Sequence, residues 1–543
     1  MEQGREVRVF GPPGTGKTTW MATQIAATAR SRATDRLLVS SFTKAAAVEI
    51  AGRDLPLHRS QVGTLHALAY RHIGRPEVAD EHLADWNSRH PAYALSGGWK
   101  GEDAPAEVLR SGSPGDGEML RAETLRARQV PREVWPDGSQ RFIKLWDEWK
   151  AEHELCDFTD MIERAIETGG PAPGNPLVGF FDEVQDFTPL ELGLVRSWGD
   201  HMERVILAGD DDQCIYGFKG ATPDAFLDPP IPDSDKRVLA QSWRVPEQVH
   251  AAADAWVKRL SRREPKEYLP RDAEGLVRYA ALKHSAPDPF LNDIQSRLDD
   301  GKSVMILGTC SYMLDRLKHR MRALGIPFHN PYRASRGDWN PLTPARGVSS
   351  SAKLLAYLVL DERLMGEAHR LWTGGDVKRW ASVVRKQGVF RRGANNAIRN
   401  LPDRELTYDE VAALFSDGEE LARAVEPDLN WFRSNLLAGA EQGMQYPLMV
   451  LQEQGLAGLV ETPRVTLGTI HSVKGGQADV VYLLPDLSKS GMQEWLGQRG
   501  QESQDSVVRQ MYVGMTRAIE ELVVCSPSSP LHVAPSLIME GIE

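Results

Sequence analysis

The chain has 543 residues, and its 75 acidic side chains against 64 basic ones leave a formal charge of −11. A composition that is 41 % hydrophobic and 26 % charged excludes a disordered or fibrous protein, and the length predicts about three or four domains at roughly 100–200 residues each. Cys156, Cys214, Cys310 and Cys525 lie far apart with no C-x-x-C spacing, which excludes a dense disulfide framework and argues against a cysteine-built metal cluster.

The first residues carry no signal-type apolar core and no run approaches ~18 apolar residues, so a cytoplasmic protein with no membrane partner is expected. The acidic balance does not exclude nucleic acid, because net charge describes the whole surface and a binding groove is local.

In chain order, a buried strand is expected at residues 7–10, followed by Gly11-Pro12-Pro13-Gly14-Thr15-Gly16-Lys17-Thr18 and a helical stretch from Thr19 to Arg30. Strand, G-x-x-x-x-G-K-[ST] loop and helix in that order predict a phosphate cradle. Glycines let backbone N–H groups wrap the phosphates, and the helix N-terminus adds favourable partial charge. Lys17 would reach the β/γ-phosphates of ATP, and the Thr18 hydroxyl would ligate Mg²⁺.

A second strand is expected at residues 37–40. From about 71 to 175 the α/β rhythm breaks. This region contains a Gly/Ser/Pro/Asp-rich loop from 96 to 117 and an amphipathic helix with Phe142, Leu145, Trp146 and Trp149 at helical spacing. A third strand, 178–181, runs into Asp182-Glu183-Val184-Gln185-Asp186. Two carboxylates at the tip of a buried strand are costly to desolvate, so a functional pair is expected. Asp182 suits the metal, and Glu183 suits the base that orients the attacking water.

Further strands are expected at 205–208, 304–307, 465–469, 480–484 and 522–525, which together predict parallel α/β layers with ligands at the carboxyl ends. Residues from about 346 to 460 read as mostly helical. Inside them Lys378, Arg379, Arg385, Lys386, Arg391 and Arg392 interleave with Trp380 and Phe390, a pattern that fits either a grip on duplex phosphates or a solvated face.

Nine segments in order resemble the motifs of the UvrD/Rep/PcrA-like superfamily 1 DNA helicases. They are 11–18; Ser41-Phe42-Thr43-Lys44; Gly63-Thr64-Leu65-His66; Asp157-Phe158-Thr159-Asp160; 182–186; Gly209-Asp210-Asp211-Asp212-Gln213 through Tyr216, Phe218 and Lys219; Gln241-Ser242-Trp243-Arg244; Thr469-Ile470-His471-Ser472-Val473-Lys474-Gly475; and Tyr512 through Arg517-Ala518. Any one is weak alone, and the order is highly specific.

The resemblance implies two RecA-like P-loop domains with parallel sheets, each carrying a mainly helical insertion. The expected boundaries are 1–70 with 176–240 for the first motor domain and 71–175 for its insertion. The second motor domain would be 241–345 with 461–543, and its insertion 346–460. ATP would lie in the cleft and single-stranded DNA across the top.

The family further implies that Gln213 senses the γ-phosphate, that Arg244 and Arg517 reach it from the other side, and that Trp243 stacks on adenine. Phe42, Thr43, Thr64, His66, Tyr216, Phe218 and His471 would meet DNA, through stacked rings and held phosphates.

The chain departs from the family pattern in three places. Ten residues before Gly11 leave no room for the upstream glutamine motif in its usual place. Gln477 replaces the usual glutamate near the ribose, and Phe218-Lys219 replaces tryptophan-arginine. No nuclease or other domain is expected after the last motif.

The resemblance implies an ATP-dependent helicase moving 3′→5′ on single-stranded DNA and opening tailed duplexes. The alternative is a translocase that strips bound proteins with little unwinding of its own. RNA as the track stays open, because stacking platforms tolerate either sugar.

Overall fold

The structure is a computed structural model and describes residues 5–31, 36–41, 61–97, 112–333, 337–343, 347–358, 372–426 and 429–542. The chain divides into two compact units, Met1–Ala281 with Leu307–Ser311 and Thr469–Glu543, and Leu282–Ile306 with Tyr312–Gly468.

In the first unit a six-stranded sheet is built from β1 (Glu6–Phe10), β2 (Leu37–Ser41), β3 (Val62–Gly63), β4 (Val178–Asp182), β5 (Arg204–Gly209) and β6 (Lys236–Val238). The order is β3-β2-β4-β5-β1-β6, with every recorded pairing parallel. These strands read as continuous apolar runs because both faces are covered. Val9, Leu37, Val39, Phe180 and Ile206 face helix α1 (Lys17–Ser31), where Met21 and Ile25 are buried. Phe10, Leu38, Phe181, Val205 and Leu207 face the opposite core, with Leu65, Leu68 and Ala69 of α2 (Leu65–His72).

Between β3 and β4 the chain forms α3 (Asp116–Ala127), α4 (Asp137–Glu152) and α5 (Phe158–Thr168). The expected amphipathic helix is α4, which buries Phe142, Trp146 and Trp149 against Trp86 and Met119. Asp157 and Asp160 form a reciprocal capping box at the start of α5. Both also bind Arg126 and Lys150, at 2.5–2.9 Å. These two aspartates therefore tie α3 and α4 to the start of α5 within the insertion.

After β4 comes α6 (Pro189–Gly199), and past β6 the chain runs through β7 (Gln241–Pro246), α7 (Glu247–Val257), β8 (Leu269–Arg271) and β9 (Leu276–Ala280). β7 and β8 pair as a separate two-stranded ribbon. The second sheet adds β10 (Val304–Gly308), β11 (Val465–Thr469), β12 (Ala478–Leu483) and β13 (Ala518–Cys525), in the order β11-β10-β12-β13-β9. Its β12–β13–β9 part is parallel and lies in the first unit, as does α8 (Gln501–Met515), which leads into β13. The α/β reading with two parallel sheets holds. The short strands β3, β6, β7, β8 and β9 were not expected, because runs of two to six residues that are not continuously buried give no clear period.

In the second unit, the described segment between 347 and 460 is built from short helices joined by turns and isolated bridges, with Ser350–Tyr357 and Ala438–Gln454 the longest helices. The basic stretch is largely tied to its own surroundings. Trp380 and Phe390 are buried, Lys378 Nζ donates to Leu401 O, Arg385 Nε to Asn435 Oδ1 and Arg391 Nε to Phe415 O. No described helix is long and apolar enough to cross a membrane.

Candidate nucleotide and nucleic-acid site

The phosphate loop leaves β1 with Gly11 N donating to Gly209 O of β5 (3.0 Å), so the loop begins at the carboxyl edge of two neighbouring strands. Lys17 Nζ donates to Gly11 O at 2.6 Å and Thr15 Oγ1 to Pro12 O at 2.8 Å, which closes the loop on itself. Gly14 has a positive φ of 77°, and a Cβ there would lie 2.6 Å from Arg244 Cβ and 2.7 Å from Ser242 Oγ. Only glycine fits this close approach. β7 docks on the loop through two bonds, Trp243 N to Gly14 O (2.9 Å) and Ser242 Oγ to Pro13 O (2.9 Å), and Tyr268, just before β8, adds a third from its OH to Pro13 O (3.0 Å). Trp243 is thereby presented beside the loop, 74 % exposed as a residue, while Thr19 sits exposed in the first turn of α1.

Asp182 ends β4, buried, with Thr18 Oγ1 donating to its Oδ2 at 3.3 Å. Burial and the neighbouring Glu183 charge push the Asp182 carboxyl up to about 7 against the pull of Lys17. A hard dication beside two oxygen donors would relieve that penalty, so Thr18 and Asp182 fit a magnesium ion whose other ligands come from phosphate and water. Glu183 has a left-handed φ of 56°, an uncommon backbone state for a residue with a side chain. Burial raises the Glu183 carboxyl, but Lys17, Lys474, the bond from Gln185 Nε2 (2.6 Å) and Arg517 outweigh it and hold the group below its ordinary range. A charged carboxylate can accept a proton or orient water.

Gln213 follows β5. Its Nε2 donates to Asp210 Oδ2 at 2.7 Å and its Oε1 accepts from Arg517 Nη2 at 2.9 Å. Arg517 lies just past α8 and is buried, also donating to Val513 O. Lys474 Nζ donates to Gln213 O (2.7 Å) and to Asp186 Oδ2 (2.5 Å), and lies 3.9 Å from Glu183 Oε2. Arg244 Nε donates to Gln477 Oε1 at 2.8 Å. Lys17, Asp182, Glu183, Gln213 and Arg517 thus converge, and Arg244 with Gln477 joins the β7 edge to the residues before β12. Sequence reasoning gave no role to Gln185, Asp186 or Lys474. All three lie inside the quoted motifs, and that was the only available signal.

On the other side of residues 210–219, Phe218 sits half-buried in a one-turn 3₁₀ segment, with ring contacts to Tyr216 (6.0 Å) and His471 (5.6 Å). His471 is held through Nε2 to Ile215 O (3.1 Å). Tyr216 corrects an expectation. It is only 3 % exposed and its OH donates to His471 O, so its ring supports Phe218 and His471 and offers no open stacking face. An apolar ring under a turn gains more from burial than from solvent contact, and alternation within Cys214–Phe218 is too short to show which ring faces in. Thr64 caps α2, its Oγ1 accepting from Ala67 N, and His66 Nδ1 lies 3.4 Å from Glu191 Oε1 with its ring 5.9 Å from Phe158. Phe42 and Thr43 lie outside the described residues.

A P-loop opening onto a parallel sheet, an acid pair at the tip of β4 with only β5 between it and the loop strand, and arginines from β7 and from the turn before β13 define a P-loop protein of the RecA-like class. A family model for the AAA domain matches residues 2–219. The protein YjcD of Bacillus subtilis (strain 168) is 24 % identical over 338 residues, covering 56 % of this chain and 43 % of its own. DNA helicase II of Escherichia coli (strain K12) is 25 % identical over 340 residues, covering 54 % and 44 %. ATP-dependent DNA helicase UvrD2 of Mycobacterium tuberculosis (strain ATCC 25618 / H37Rv) is 25 % identical over 287 residues, covering 46 % and 40 %. The chain spans less than half the length of these relatives. In these matches and in its motif order the chain is similar to UvrD-like proteins of superfamily 1.

Proposed function

We propose that the chain is an ATP-driven DNA helicase that moves 3′→5′ on single-stranded DNA and opens tailed duplexes. One observation carries this reading. Residues 210–219 hold Gln213 against Arg517 at one end and present Phe218 beside His471 at the other. A change at the γ-phosphate is thereby five residues from an aromatic platform suited to bases.

In this reading Gly11 to Thr19 cradle ATP, Trp243 and Gln477 face adenine and ribose, and Lys17 neutralises the β/γ-phosphates. Thr18 and Asp182 hold Mg²⁺, which supplies charge neutralisation on the phosphates when bound. Glu183 orients water, and Arg244 and Arg517 stabilise charge developing on the transferred phosphoryl group, an effect of about 10³–10⁵ in rate in comparable enzymes. The motor domains are assigned to 1–70 with 176–240 and to 241–345 with 461–543, and the insertions to 71–175 and 346–460. The DNA-named relatives support DNA as the track.

The test is ATP turnover with and without single-stranded DNA or RNA, then strand displacement on 3′- and 5′-tailed duplexes. Stimulation by DNA with displacement of 3′-tailed substrate is expected. Turnover indifferent to nucleic acid refutes the reading, and displacement of bound protein without unwinding selects the translocase.

A further inference from the structure

A carboxamide offers a donor and an acceptor of nearly equal shape, so the direction Gln213 points each of them is set by its partners. Arg517 takes the oxygen and Asp210 Oδ2 takes the nitrogen. Three further points fix Asp210, whose Oδ1 accepts from Asp212 N at 3.3 Å. Its backbone N–H donates to Gln185 Oε1 (3.0 Å), and its Oδ1 lies 3.2 Å from the ammonium of Lys266.

Lys266 belongs to none of the motifs. Its side chain is 1 % exposed, and besides Asp210 it reaches Asp211 Oδ1 (2.6 Å) and Asp212 Oδ2 (2.8 Å). Arg263 completes Asp212 at 2.7 Å, and Glu264 N donates to Asp211 Oδ2 at 2.8 Å. Three consecutive buried carboxylates repel one another and are costly to desolvate, so without a central cation at least one turns away or takes a proton. An Asp210 side chain that has turned away no longer offers Oδ2 as a fixed acceptor.

We propose that Lys266 is a positioning residue for the reaction, holding Asp210 so that Gln213 presents its amide in one orientation. The inference deepens the reading of the chain as an ATP hydrolase and rests on it. Lys266 lies beyond the phosphate loop and makes no bond to it, so its role is felt in turnover and not in nucleotide affinity. Misplacement of a group by about 1 Å costs on the order of 10²-fold in rate.

The experiment compares steady-state ATP hydrolysis by the full chain carrying Lys266→Met, Gln213→Ala and both, with melting temperature measured on each preparation. The expected result is a fall in kcat of about 10- to 100-fold for Lys266→Met, with KM for ATP within about twofold of the parent. It should bring no further fall in the Gln213→Ala background. Because Lys266→Met strands three aspartates, Lys266→Met with Asp211→Asn is measured alongside. It removes one charge of each sign, and the same kcat loss is expected. Losses that multiply across the Gln213→Ala pair, or a raised KM with unchanged kcat in the variant that folds, overturn the proposal. Parental turnover that survives Lys17→Ala overturns the ATPase reading itself, and this proposal with it.

Discussion

Phe218→Ala isolates the coupling between nucleotide and track. The backbone of the turn is fixed without the ring: Thr124 Oγ1 of α3 donates to Phe218 O at 2.9 Å, and Gly220, at φ 97°, packs where a Cβ would lie 2.8 Å from Ala127 Cβ. Truncation therefore removes the aromatic face and leaves residues 210–217 in place. Base–aromatic stacking is worth about 1–3 kcal/mol per base, so grip on single-stranded DNA should weaken about 5- to 140-fold. A buried Phe→Ala change costs about 3–5 kcal/mol, and a half-buried ring with edge contacts to Tyr216 and His471 should cost roughly half of that. The assay reads melting temperature, DNA-independent ATPase, DNA-stimulated ATPase and strand displacement on one preparation. DNA-independent turnover should persist while stimulation falls and displacement nearly vanishes. Normal unwinding refutes the stacking role, and joint loss of stability and DNA-independent turnover makes Phe218 a core residue instead.

Glu183→Gln should retain ATP binding and lose hydrolysis, since Asp182 and Thr18 are untouched; turnover at the parental rate by phosphate release would show that Glu183 is not the base. Lys17→Ala should abolish turnover and weaken binding of a fluorescent ATP analogue, and an unchanged affinity would contradict its place at the phosphates. With Gln477 accepting from Arg244 Nε where a carboxylate is usual, the kcat/KM ratio of ATP over dATP should be small, and a strong preference for ATP would refute this. Arg126→Met breaks a buried cluster in which Asp157, Asp160 and Glu163 share one guanidinium, and should cost about 3–5 kcal/mol by denaturant unfolding; a loss below about 1 kcal/mol would contradict it. Burial raises the Asp157 carboxyl, but Arg126 and Lys150 hold it well below the usual range. Its stabilising share is therefore present above its unfolded value near 4 and is lost as pH falls through the lower folded value, which acid titration of the melting temperature reads.

The sequence by itself determined the phosphate loop, the acid pair and the eight main strands. Each is local, a run of consecutive residues whose period or composition carries the chemistry, as in Gly11 to Thr18 or the apolar run that ends at Asp182. It also determined the helix that buries Phe142, Trp146 and Trp149, because helical spacing survives in a single element.

Only the tertiary structure decided which long-range partners complete those segments. Lys474 reaches Asp186 and Gln213 across more than 250 positions, Arg517 reaches Gln213 across 304, and Lys266 settles among three aspartates from a stretch with no motif. Burial likewise decided Tyr216 against Phe218. Both rings have the same sequence signature two positions apart, and whether a ring faces core or solvent depends on what packs beneath the turn, which no local pattern encodes.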